Sequence, residues 1–339
     1  MRLETIQKYV EANPDAKALF LVYPTYYGAC ADLKSIIEYA HSKDIVVMVD
    51  QAHGAHFSFS STLPKSAAEL GADLVVVSTH KTGGSLSQSA MLLHNEGLVK
   101  HHSIKKRVLM FHTTSPSYLM LASLESARKM LATEGDEIFS ELVAECQKLK
   151  RALSKIPGLS VLDEHEGVET MTYDPTKIVV NVTRLGLDGF DVYDLMFEEY
   201  KIQMELAEPT LVLAVIGIGD TQETVWKLYD AFKELSDIYY GKSEPIDTPE
   251  EIVYVPPQVM SPRQAFYADK IPCKLLDAIG RIAAEAVMIY PPGIPICIPG
   301  ELITAETIEE IIYCQENSDC VQKDSWEADC ILVVDETGE

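Results

Sequence analysis

The sequence predicts an α/β protein built on a mainly parallel sheet with helices on both faces. Three observations carry this reading. Short apolar runs rich in β-branched residues recur in the first 95 residues, at 18–23, 45–49 and 74–77. Segments of helical periodicity separate them. Fully apolar strands alternating with helices are strands covered on both faces, which is the pattern of parallel pairing.

The elements follow in order. A helix over 3–12 precedes the first strand, whose exit turn holds Pro24 and Gly28. Asp32 is placed as the N-cap of a helix to residue 42, with Leu33, Ile36, Ile37 and Ala40 on one face. The second strand ends in Asp50. A short helix over 64–70 stops at Gly71, a C-cap signal. The third strand runs into Ser78-Thr79-His80-Lys81. Two long helices are expected at 117–133 and 136–155, ending before Pro157-Gly158. Residues 159–240 read as a smaller α+β unit, with strands at 177–182, 202–206 and 211–216 and helices at 189–200 and 221–240. Pro245, Pro249, Pro256 and Pro257 mark a linker. The expected organisation is therefore a large domain over 1–156, a small α+β domain over 157–240, a linker over 241–258 and a C-terminal α+β domain over 259–339.

Composition narrows the partners. The chain has 339 residues, a net charge of −24 and 24% charged residues. That is ordinary globular usage, and the sign disfavours nucleic acid or an anionic membrane as partner. The charge is uneven: residues 1–110 are near neutral at +1, and residues 111–339 carry −25. No apolar run reaches the roughly 18 residues of a membrane span, and the first residues do not read as a signal peptide. Seven scattered cysteines (30, 146, 273, 297, 314, 320 and 330) read as reduced thiols in a cytoplasmic protein. Cys314, Cys320 and Cys330 are spaced too loosely for a zinc knuckle. Asn181-Val182-Thr183 matches a glycosylation acceptor that such a chain would not use.

Ligands of open parallel sheets sit at the carboxyl ends of the strands. Those ends carry Tyr23-Pro-Thr-Tyr-Tyr-Gly28, Asp50-Gln-Ala-His-Gly54 and Ser78-Thr-His-Lys-Thr-Gly-Gly84. A lysine beyond one strand and an aspartate beyond another form the pair that pyridoxal phosphate needs: an amine for the Schiff base, and a carboxylate to keep the pyridine nitrogen protonated. Ser78 and His80 stand beside them as phosphate contacts. Each residue also has a plainer reading: Asp50 as a turn residue, Lys81 as a solvated lysine, His53 and His56 as loop histidines. Asp50, His53 and His56 as a metal site fit no usual ligand spacing, so no metal is expected. Ser78-x-x-Lys81 with Lys81-Thr-Gly superficially matches penicillin-binding enzymes, but one lysine would have to serve two motifs. The glycine-rich phosphate-loop patterns are absent.

Beyond this point the motifs become specific. The three strand-end segments, with His112-Thr-Thr-Ser-Pro-Ser-Tyr118, Pro262-Arg-Gln-Ala-Phe-Tyr267, Gly280-Arg-Ile-Ala-Ala-Glu285, Tyr290-Pro-Pro-Gly-Ile-Pro295 and Pro299-Gly-Glu301, occur in one order along the whole chain. Together they closely resemble the Orn/Lys/Arg decarboxylases, fold-type-I pyridoxal phosphate enzymes, and among them the shorter arginine/lysine type. The resemblance implies that Lys81 forms the Schiff base, Asp50 pairs with the pyridine nitrogen and Ala52 packs on the ring. It places His53 near the ring and the substrate carboxylate, and Ser78 and His80 on the phosphate. It implies a homodimer in which a hydroxyl from Thr113, Thr114 or Ser115 reaches the partner's phosphate. The substrate would be a basic amino acid, arginine before lysine or ornithine, converted to its amine in polyamine metabolism. Glu205 and Glu301 are candidates for meeting its cationic end, against the plainer reading of solvated acids. Gln51 stands where the resemblance leads one to expect an acid, and it should point away from the cofactor.

The resemblance also implies a segment ahead of Tyr23-Pro-Thr. It would hold a His-Ile-Pro-Gly-His-Lys-type motif, a phosphate loop at a helix N-terminus and a ring-stacking histidine. None of these is in the 339 residues. Two expectations follow. In one, the chain is a decarboxylase whose missing part is supplied by another polypeptide or lies outside this sequence. In the other, it is an inactive remnant that partners an intact paralogue. Either way, apolar sheet surface and strand edges should lie open.

Overall fold

The computed structural model describes residues 1–162, 172–246, 255–290, 293–317 and 321–336. Pro249, Cys320, Pro291 and Pro292, and with them part of the expected linker, lie outside the described residues. The chain divides into two compact units, Met1–Ile246 and Asp247–Glu339.

The first unit begins with α1 (Leu3–Ala12), β1 (Ala18–Val22), the short β2 (Ala29–Cys30), α2 (Leu33–His41) and β3 (Val46–Asp50). Then come α3 (Ala67–Leu70), β4 (Leu74–Val77), α4 (Thr79–Thr82) and β5 (Met91–His94). Strands pair in the order β1-β3-β4-β5. β1, β3 and β4 are parallel, and β5 closes the sheet antiparallel to β4. Asp32 caps α2 by accepting from the Ser35 amide. Ser66, not Pro64, starts α3, through a capping box with Glu69, and Gly71 ends it at φ +103°.

Two further helices follow, α5 (His101–Phe111) and α6 (Tyr118–Leu153). The two long helices expected from the sequence are one helix of 36 residues. Gly135-Asp136 reads as a break, but Gly135 is a packing residue: a Cβ there would lie 3.0 Å from the Phe59 Cβ and 3.2 Å from its carbonyl oxygen. The small antiparallel sheet uses β6 (Ser160–Val161), β8 (Lys177–Asn181), β9 (Leu206–Glu208) and β10 (Leu211–Val215) in the order β6-β8-β10-β9. The short β7 (Thr172–Tyr173) pairs with β2. α7 (Gly189–Glu198) and α8 (Gln222–Tyr239) complete the unit. The strand expected at 202–206 is displaced to β9. Lys201 turns the chain at φ +56°, and the Ile202 amide returns to the Met196 carbonyl, so 201–204 form a helix exit.

One core joins these parts. Ile36, Val47, Val49, Phe57, Val75, Phe139, Leu149, Ile178 and Phe232 are all buried in it. Each such side chain contributes about 1.5–3 kcal/mol by leaving water. The register shows that only one face of the main sheet feeds that core. Phe20 pairs with Met48, Val22 with Asp50, Asp50 with Val76 and Val76 with Leu92, so these residues share the opposite face. On it Phe20 is 65% exposed, Val22 61%, Val76 44% and Leu92 42%. The expected open apolar surface is thus present, on the face that carries Asp50.

The second unit holds α9 (Pro262–Tyr267), β11 (Lys270–Lys274), β12 (Val287–Ile289), β13 (Ile294–Cys297), α10 (Ala305–Asn317), β14 (Val321–Gln322) and β15 (Cys330–Val334). β11 pairs with β15, and β13-β12-β14 form a second antiparallel sheet. Its core includes Leu275, Val287, Ile296, Ile308, Ile311 and Ile331. The Gly280–Glu285 motif has a structural use here. Buried Glu285 accepts from the Ser325 and Leu332 amides at 2.7 and 2.6 Å.

Candidate active site

β1, β3 and β4 end at one edge of the sheet, and each delivers a polar segment there. β3 ends on Asp50, whose Oδ1 accepts from the Ala52 amide at 2.9 Å. The second carboxylate oxygen bonds to no described residue. Gln51 turns inward, as expected of a residue pointing away from a ligand. Its Nε2 donates to the Gly54 carbonyl at 2.7 Å and its Oε1 accepts from the Ala67 amide at 2.7 Å. An acid could not make that donation, which accounts for glutamine at this position. A 3-10 turn over Ala52–Gly54 then buries His53.

β4 delivers Ser78 and then α4, a single turn that carries His80 and Lys81. His80 Nδ1 lies 2.8 Å from the Ser89 carbonyl, so it donates and leaves Nε2 for a ligand. Lys81 Nζ lies 3.1 Å from His53 Nε2. The structure thus brings Asp50, Ala52, His53, Ser78, His80 and Lys81 to one edge. Thr113, Thr114 and Ser115 are elsewhere, exposed between α5 and α6.

The small sheet and the turn after β1 add Lys177, Asp174 and Tyr26, which the sequence does not assign to the site, and bring up Glu205, which it does. Lys177, the first residue of β8, is 1% exposed and places Nζ 3.1 Å from His53 Nδ1. Its stem passes Gly28, where φ is +91° and a Cβ would stand 2.9 Å from Lys177 Cγ. Only glycine fits that passage. The Tyr26 ring tilts over His53 at 4.2 Å, and its hydroxyl donates to Glu205 Oε1 at 2.6 Å. Asp174 is fully buried. Its Oδ1 accepts from the Thr176 amide and hydroxyl at 2.9 and 2.7 Å. Its Oδ2 faces His56 Nε2 at 3.2 Å, without the alignment of a hydrogen bond. His56 therefore faces Asp174 across a buried contact. Glu301, the other candidate acid, is buried and accepts from the Ile298 amide at 2.8 Å within its own unit.

Electrostatics follow from this packing. Burial, with Lys177 and Lys81 on either side, pushes the His53 pKa down to about 3. The ring is therefore neutral at neutral pH. Burial likewise lowers Lys177, against the pull of Asp174 and Glu205 toward its charged form. For Asp174 burial opposes ionisation, but His56 and the Thr176 hydrogen bonds outweigh it and hold the carboxyl below its usual range.

Pyridoxal phosphate fits this donor set: an amine at Lys81, a carboxylate oxygen of Asp50 free to meet a pyridinium, and His80 Nε2 open to a phosphate. Parallel strands with such an edge define a fold-type-I pyridoxal phosphate architecture. More narrowly, residues 1–224 match the Orn/Lys/Arg decarboxylase major domain and residues 249–323 the Orn/Lys/Arg decarboxylase C-terminal domain. The chain belongs to the Orn/Lys/Arg decarboxylase family.

It is 40% identical over 319 residues to an arginine decarboxylase of Halalkalibacterium halodurans, covering 93% of this chain and 64% of that protein. It is 43% identical over 317 residues to an arginine decarboxylase of Bacillus subtilis, covering 91% and 64%. The chain therefore spans less than two thirds of the length of these relatives. In fold it matches the lysine decarboxylase of Francisella novicida, with a TM-score of 0.78 at 18% identity over 98% of this chain and 60% of that one.

Proposed function

We propose that a protein containing this chain decarboxylates a basic amino acid with pyridoxal phosphate, arginine first, then lysine or ornithine, to the corresponding amine of polyamine metabolism. The observation that carries the proposal is Lys81 Nζ held at 3.1 Å from buried His53, on the edge where Asp50 ends β3. The identity to relatives named arginine decarboxylase supports arginine as first substrate.

In this reading Lys81 holds the cofactor covalently and Asp50 meets the pyridinium. Ala52 packs on the ring, while Ser78 and His80 meet the phosphate. His80, already donating from Nδ1, donates to an anion from Nε2 only as imidazolium. The bound cofactor supplies the electron sink for breaking the bond to the carboxylate. Glu205, whose Oε1 accepts from the hydroxyl of the Tyr26 ring over His53, is the acid assigned to the cationic end of the substrate.

A homodimer suits the surface around Thr113, Thr114 and Ser115. Leu109, Met110, Phe111, Tyr118 and Leu119 flank that stretch and are 64–89% exposed. Apolar side chains at that density mark an interface, and a hydroxyl there would serve the partner's phosphate. The open face with Phe20, Val22, Val76 and Leu92 calls for a further covering segment, in the same polypeptide or in another. That face also favours the second reading, a chain that alone is inactive and docks on an intact paralogue. The six described cysteines are all free thiols, which suits a cytoplasmic location.

The test is reconstitution with pyridoxal phosphate. A visible absorption band should appear and be lost in Lys81→Ala. The complete assembly should release amine from arginine, and the isolated chain should release little. A band that survives Lys81→Ala removes Lys81 from its role. Robust turnover by the chain alone removes the need for the covering segment.

A further inference from the structure

His53 has an ammonium-bearing side chain at each ring nitrogen, Lys81 at Nε2 and Lys177 at Nδ1, both at 3.1 Å. A neutral imidazole has one N–H and one lone pair. Two ammonium groups would both need the lone pair. Both contacts are therefore hydrogen bonds only if one amine is neutral and accepts the ring proton. Lys177 is the buried one, at 1% exposure, whereas Lys81 reaches solvent. Desolvation disfavours charge on Lys177. In that arrangement Lys177, the buried amine, would accept from Nδ1–H, and Nε2 would turn its lone pair to the Lys81 ammonium.

We propose that Lys177 is the terminal acceptor of a buried proton relay, Lys81–His53–Lys177, which removes the proton from the Lys81 ammonium and readies its amine to attack a carbonyl carbon. The proposal rests on the reading of Lys81 as the cofactor-holding lysine. An N–H bond of Lys81 breaks and its proton goes to His53 Nε2. The Nδ1–H bond breaks and that proton goes to the Lys177 lone pair. One positive charge moves from Lys81 to Lys177, and nothing is oxidised or reduced. The charge that reaches Lys177 meets Asp174 and Glu205, which act on it from the segment before β8 and from the segment before β9, against the cost of its burial. Of the other titratable groups around His53, His56 faces Asp174 and Tyr26 donates to Glu205. Lys177 is thus a positioning and proton-accepting residue, and Gly28 is the position that lets its stem pass.

The test uses the full chain without cofactor, so failure to bind pyridoxal phosphate leaves it readable. Long-range ¹H–¹⁵N spectra of ¹⁵N-histidine protein, with His53 assigned by His53→Gln, should show the neutral Nδ1–H tautomer at pH 7. Reductive methylation of Lys81 by formaldehyde and borohydride, followed by peptide mass spectrometry at pH 7.5, should slow by about tenfold in Lys177→Met, the change of one pKa unit. It should slow similarly in Lys177→Arg, which carries a fixed charge and takes up no proton. A wild-type rate in Lys177→Arg would make the role one of charge alone and overturn the relay. If neither variant folds, the wild-type spectrum still decides, because an Nε2–H tautomer or an imidazolium at pH 7 contradicts the proposal.

Discussion

At the scale of single residues, the site depends on a neutral histidine between two lysines. Because the His53 pKa is about 3 in the folded chain and near 6.5 unfolded, the unfolded chain binds more protons between those values. This contribution to stability is complete above about pH 6.5 and is lost as pH falls toward 3, by at most about 1.4 kcal/mol per pH unit. Urea unfolding across that range should show the decline in wild type and a shallower one in His53→Gln. Asp50 and Lys81 are legible in the sequence because each follows directly on an apolar run that reads as a strand. Lys177 is not, since its partner His53 lies 124 residues away. Locally it is only a polar residue opening Lys177-Ile-Val-Val-Asn181, and nothing short of the fold shows that β8 aims it at the main sheet's edge.

At the scale of elements, α6 shows where periodicity and glycine give conflicting signals. A Gly-Asp pair in a helical stretch reads as a stop, because glycine costs about 1 kcal/mol against alanine in a helix interior. Here the missing side chain is what lets α6 approach Phe59. Gly135→Val should therefore destabilise the first unit by about 1–3 kcal/mol through overpacking, despite the better helix former. Chemical denaturation measures it, and unchanged stability would mean that the approach is not tight. The strand ends, the Asp32 cap and the Gly71 stop were all readable, because each is a local signal. β5 and α5 were not, since the one pairs antiparallel at an edge and the other buries none of its residues.

For the whole molecule, charge and apolar surface divide differently from length alone. The near-neutral first 110 residues hold the strand-end site and most of the open apolar face, while the acidity lies in the remainder. No helix among the described residues is long and apolar enough to cross a membrane. The apolar stretch around Thr113 should join two copies. Light scattering should show a dimer or larger species, and Phe111→Glu should shift it toward monomer. Phe111 is 89% exposed in the single chain, so its replacement should leave the far-UV circular dichroism of that chain unchanged. A wild-type monomer would contradict that assignment.

The central claim is that Lys81 is the residue that takes the cofactor. Pyridoxal phosphate is added to the chain, the adduct is reduced with borohydride, and the digest is read by mass spectrometry. A phosphopyridoxyl group on the peptide containing Lys81, absent when Lys81→Ala is treated the same way, is the predicted result. Its appearance on another lysine, Lys177 included, with Lys81 unmodified would contradict the account.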